Sequence, residues 1–105
     1  MPTASRSRIG SAISMADVVW RQQALDDLDD IIRYIDQFDP QAAHDIGRKL
    51  FDLGESLTDF PRRGRRSTHG GRELVTVPPY VLSYEVGTDV VYISTIRHGA
   101  RRPLD

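Results

Sequence analysis

Six side chains in the C-terminal half of this sequence are of types that could handle a phosphodiester: His98, Tyr84 and the arginines Arg65, Arg72, Arg97 and Arg101. A site that cleaves RNA through its own 2'-hydroxyl needs a base, an acid for the leaving oxygen and cations around the phosphate. His98 would transfer the proton, Tyr84 would act as a donor, and the four arginines would clamp the phosphate. Arg72 stands at the start of one strand-like run and Arg97 and Arg101 at the end of another, and in an antiparallel meander such ends can converge on one edge. Each residue also has a plainer use. A lone histidine at a strand end is more often a structural hydrogen-bonder than a catalyst, and loop arginines are mostly solvated.

Two features weigh against catalysis. Lys49 is the only lysine and lies on a predicted helix outside the basic half, while arginine, with a pKa above about 12, holds its proton too firmly to be a ready base. The sequence pI is near 6.3, whereas contact with dense nucleic-acid phosphate usually calls for a strongly basic protein, although local basic patches can suffice. His44, His69 and His98 fall on different predicted elements and lack the spacing of a ligand pair, so neither a metal nor a cofactor is expected.

The elements that would position these residues follow from hydrophobic spacing. Asp17-Val18-Val19-Trp20 reads as a short strand. Ala24, Leu28, Ile31, Ile35 and Phe38 then recur at intervals of four, three, four and three, one stripe of an amphipathic helix that Leu25 and Ile32 widen. Asp39 can cap the next helix, and Pro40 suits its first position because the missing N–H costs nothing there. Ala43, Ile46, Leu50, Leu53, Leu57 and Phe60 follow with strict three-four alternation, the seam of two helices packed nearly antiparallel. Pro61 and Gly64 stop the second helix, and the loop 62–71, with four arginines, His69 and two adjacent glycines, is expected to be basic and mobile.

Beyond it the period changes to two. Strands are expected over 73–77, 80–86 and 90–97, rich in β-branched and aromatic residues. Pro78-Pro79 and Gly87-Thr88-Asp89 are too short for crossover helices, so the three strands form an antiparallel meander. The expected fold class is α+β: a short N-terminal strand, then a helical hairpin packed on one face of an antiparallel sheet.

A chain of 105 residues fits one domain that buries roughly 65% of its unfolded surface. Residues 1–15 are rich in Ser, Ala and Arg and contain no acid; they look like a disordered leader or a start assigned too early, since Met15-Ala16 directly precedes the first strand. The domain is then 16–105. Without cysteine there is neither disulfide nor thiolate metal site, and the cytoplasm is the natural compartment. Hydrophobic runs stop at four or five residues, against the roughly 20 that a membrane span requires.

Charge is strongly polarised. Residues 16–60 carry eleven acids against four bases, a balance of −7, while residues 61–105 carry eight arginines against four acids, a balance of +4. Such polarity speaks to partners and not to fold, and an acidic helix face is often only a solvated one.

With the element order in place, the sequence resembles the RelE/ParE superfamily of type II toxins. The matching pieces are Val19-Trp20, then Ala24, Asp27-Leu28, Ile31 and Tyr34-Ile35, then Asp39-Pro40-Gln41-Ala42-Ala43. Later come Phe60-Pro61, Gly64-Arg65, Arg72-Glu73-Leu74, Tyr80-Val81-Leu82-Ser83-Tyr84 and Arg97-His98-Gly99-Ala100-Arg101. They span 18–102, and their order and spacing are more specific than any one piece. The resemblance implies a cognate antitoxin whose C-terminal segment wraps the toxin, and Leu25, Leu28 and Ile32 form an apolar strip that such a segment could occupy, unless the sheet covers it.

The superfamily divides into a RelE-like branch of ribosome-dependent mRNA endonucleases and a ParE-like branch of DNA gyrase inhibitors. The lone lysine and the low pI favour the ParE-like branch, with Arg65, Arg72, Arg97, His98 and Arg101 as the target-binding set and no catalysis by the toxin. In the endonuclease alternative His98, Arg72, Tyr84, Arg97 and Arg101 would be catalytic. A toxin-derived module that has lost activity and only pairs with an antitoxin is a third class.

Overall fold

The structure is a computed structural model and describes residues 16–68 and 70–99. The expected leader, His69 and Arg101 lie outside the described residues. Strand β1 (Asp17–Trp20) leads into helix α1 (Gln22–Asp36), which turns at Asp39 into helix α2 (Pro40–Glu55) and a single 3-10 turn (Ser56–Thr58). Asp39 caps α2 as its chemistry predicts: its carboxylate accepts the N–H of Ala42 at 3.1 Å, and Pro40 opens the helix. Four strands follow, β2 (Arg65–Arg66), β3 (Arg72–Leu74), β4 (Tyr80–Val86) and β5 (Val90–His98).

One sheet of order β1-β5-β4-β3-β2 results. The last three strands form the antiparallel meander expected from the short turns. β1 pairs with β5 in parallel, Asp17 opposite Val90 through Trp20 opposite Ile93. Parallel neighbours need a long crossover, and the helical hairpin between β1 and the meander supplies it. The loop expected to be mobile is in part a strand: β2 lies antiparallel to β3, with Arg65 opposite Glu73 and Arg66 opposite Arg72. β3 ends at Leu74, three residues earlier than its composition suggested.

The helices cover one sheet face. Leu50, Leu53 and Leu57 meet Leu74, Leu82, Tyr84, Val91, Ile93 and Ile96 in the buried core, and Ala24, Leu28 and Ile31 bring α1 onto it. Ile93 and Ile96 are both buried although an odd interval separates them, which regular alternation forbids. A bulge resolves this: Tyr84 pairs with Ile93 but Ser83 with Thr95, so Ser94 is the extra residue and the inward phase restarts at Ile96. The helical stripes lose their last members. Phe38 and Phe60 are 71% and 62% exposed, because α1 ends at Asp36 and the 3-10 turn at Thr58, and past those ends a three-four interval no longer returns a side chain to the same face.

Candidate functional site

Alternation along β3, β4 and β5 divides the expected site residues between two faces. Tyr84 and Arg72 are cross-strand partners and share the helix side, where both engage Gly64. The Tyr84 hydroxyl, on a buried side chain, accepts the Gly64 N–H at 2.9 Å, and Arg72 Nη1 donates to the Gly64 carbonyl at 2.8 Å. Gly64 is thereby fixed at both of its backbone groups. A Cβ at this position would lie 2.6 Å from the Glu73 carbonyl oxygen and 2.8 Å from the Tyr84 hydroxyl, which is why glycine stands here.

His98 lies at the end of β5 opposite Tyr80, and the two rings meet edge to face with centroids 5.6 Å apart. Burial, and secondarily the nearby Tyr34 phenol, pushes the Tyr80 pKa above its ordinary value of 10.0. His98 shares the phase of Ile96, the helix side, whereas Arg97 between them takes the other face.

On that outer face Arg65, Glu73, Ser83, Glu85, Ser94 and Arg97 line an open groove of about 930 Å³. Arg65 Nη2 lies 3.3 Å from Glu73 Oε1, and Arg97 Nη2 lies 3.2 Å from Glu73 Oε2. The expected convergence of Arg72 with Arg97 does not occur. Arg72 pairs at Tyr84 and Arg97 at Val81, so they differ in both strand position and face. On this face the expected residues that come together are Arg65 and Arg97, through Glu73, which is not among the expected site residues. Its signal was available: Glu73 is an acid among arginines, out of phase with Leu74.

The apolar strip on α1 is also divided. Leu28 packs against the core, and Ile32 fills the space that Gly47 leaves on α2, where an added Cβ would lie 2.7 Å from Ile32 Cδ1. Leu25 is 41% exposed. Among the described residues no group of three or more His, Cys, Asp or Glu side chains could hold a metal ion, and no helix is long and apolar enough to cross a membrane.

Among the described residues, two helices on one face of a five-stranded, mostly antiparallel sheet define a small α+β class. Comparison with known proteins agrees. Residues 18–103 match the family model of the ParE toxin of the type II toxin-antitoxin system parDE. Toxin RelE2 of Caulobacter vibrioides is 49% identical over 87 residues, 83% of this chain and 99% of that protein. A protein of Sinorhizobium fredii is 34% identical, over 82% of this chain and 91% of its own length. A solved chain of the chromosomal ParDE system from P. aeruginosa superposes with a TM-score of 0.74 at 22% identity, covering 82% of this chain and 98% of that one, a likeness of fold. The chain belongs to the ParE/RelE family and is a type II toxin. Membership implies an antitoxin as partner.

Proposed function

We propose that this toxin arrests growth in the ParE-like way, by binding DNA gyrase and trapping it in a DNA-damaging state, with no covalent chemistry of its own. One observation carries this reading. Of the residues an RNA-cleaving site would need, Tyr84 and Arg72 are occupied with Gly64 on the helix side and His98 leans on Tyr80, while Arg65 and Arg97 occupy the opposite face. A general acid or base must come within about 3 Å of the atom it serves. Among the described residues the proton-transfer candidate His98 is parted by the sheet from two of the phosphate clamps, Arg65 and Arg97, and the third, Arg72, is engaged with the Gly64 carbonyl, an arrangement suited to binding and poorly suited to catalysis. The acting surface in this reading is the outer groove, and the antitoxin's C-terminal segment neutralises the toxin from the α1 side at Leu25.

The RelE-like reading, a ribosome-dependent mRNA endonuclease, draws its support from the name of the Caulobacter relative. Expression of the full chain without antitoxin separates the two. Chromosome breaks with intact message support gyrase poisoning; message cut on the ribosome with intact DNA supports the endonuclease. His98→Ala adds a second discriminator, since loss of a general acid or base lowers a rate by about 10²- to 10⁴-fold but leaves a binding inhibitor nearly unchanged. A chain that causes no arrest at all is the inactive antitoxin-binding module.

A further inference from the structure

Glu73 places a carboxylate between two arginines of the outer groove. It lies in the middle of β3, its side chain is only 11% exposed, and alternation with Leu74 turns it outward. Arg65 reaches it from the neighbouring strand β2, and Arg97 reaches it from β5 across the width of β4. Each arginine takes a different carboxylate oxygen. A carboxylate so little exposed is costly unless paired, so the three side chains hold one another in place. A guanidinium has five N–H donors, and Arg65 and Arg97 remain 65% and 46% exposed, which leaves donors on both directed at the groove.

We infer that Glu73 is a positioning residue: it fixes Arg65 and Arg97 as a pre-aligned pair on the acting face and makes no contact with the target itself. The inference rests on the reading that these arginines bind the target. A long free side chain surrenders rotamer freedom on binding, and one already tethered has less to surrender.

The sign of the effect separates this role from a simple charge role. Glu73→Gln removes a negative charge from a basic face, so if charge were all that mattered, arrest would strengthen. Tethering requires that it weaken.

The test expresses the full chain from a titratable promoter in cells without antitoxin and reads the inducer dose for half-maximal arrest. Melting temperature and affinity for the antitoxin are measured on purified protein. Glu73→Gln is expected to raise the dose about 10-fold, with both other measurements unchanged, and to add little in a chain already carrying Arg65→Gln and Arg97→Gln, the non-additivity of residues that act as one unit. Unchanged or stronger arrest overturns the inference. So does a loss accompanied by a lower melting temperature or weaker antitoxin binding, which would make Glu73 a brace for β2 and β3 only. Arginine variants that arrest as well as the parent overturn it too. Chromosome breakage, scored in the same cells, reports separately on gyrase: message cleavage in its place would displace that target and leave the tethered pair standing.

Discussion

The Asp27 carboxylate on α1 accepts the backbone N–H of Ile96 on β5 at 2.9 Å. Strand β1 stops at Trp20, opposite Ile93, so beyond that point β5 has no strand neighbour on this edge among the described residues, and a side chain from α1 supplies the acceptor instead. A partly buried N–H without a partner costs about 1–3 kcal/mol. Asp27→Ala is therefore expected to lower unfolding free energy in urea by that amount, and Asp27→Asn, which keeps an acceptor oxygen, by less. Equal stability of the alanine variant and the parent would show that this edge needs no such partner.

Two glycines of α2 face different neighbours and should respond differently to alanine. An added Cβ at Gly54 would lie 2.7 Å from Trp20 Cη2 and 2.8 Å from Ile93 Cδ1, and Ile93 is fully buried while the Trp20 ring is stacked on Phe51. Overpacking of this kind costs about 1–3 kcal/mol, more than the roughly 1 kcal/mol that alanine contributes to a helix over glycine. At Gly47 an added Cβ meets one side chain only, Ile32, at 2.7 Å from Cδ1 and 2.9 Å from Cγ1, and Ile32 is half-buried where Ile93 is fully buried. Thermal melting should fall more for Gly54→Ala than for Gly47→Ala; the reverse order would mean that α2 does not approach Trp20 this closely.

Tyr84→Phe tests whether the residue serves the loop or the chemistry. Its hydroxyl accepts the Gly64 N–H from within the core, so removal leaves a buried donor unsatisfied at about 1–3 kcal/mol. Faster hydrogen exchange at the Gly64 amide and a lower melting temperature are expected, with growth arrest per folded molecule unchanged. A variant that melts like the parent yet has lost arrest would return Tyr84 to the acting site.

Much of this fold was legible because its signals are local. Periodicity marked both helices, Asp39-Pro40 fixed the hairpin turn, and short linkers required the meander. The missing parts depend on contacts distant in sequence. β2 is two residues long and carries two arginines, with no apolar alternation to mark it; only pairing with Arg72 and Glu73 makes it a strand. The parallel union of β1 with β5 joins residues more than 70 positions apart. The site was legible in residue type and not in grouping: Arg65, Arg72, Arg97 and His98 read alike as basic side chains, and the direction of each depends on strand phase and on the bulge at Ser94. Asp27 and Glu73 were counted as charge, whereas their roles are defined by single partners, Ile96 for one and an arginine pair for the other.

The antitoxin surface can be tested at one residue of the apolar strip. Leu28 and Ile32 already have inward contacts, with the core and with the space at Gly47, so a charged residue at either would disturb the fold and report nothing about a partner. Leu25 is 41% exposed on the same stripe, and a substitution at so open a site should change stability by no more than about 0.5 kcal/mol. If the antitoxin's apolar segment lies along α1, Leu25→Asp places an ionised carboxylate in a contact that water must leave, and affinity should fall by about 10-fold or more. Titration of the variant with antitoxin, alongside its melting curve, decides the matter. A folded toxin that binds as tightly as the parent would place the neutralising segment away from this stripe, whereas a selective loss of affinity would locate it on α1, across the sheet from the groove of Arg65 and Arg97, and neutralisation would then have to act without covering the acting face directly.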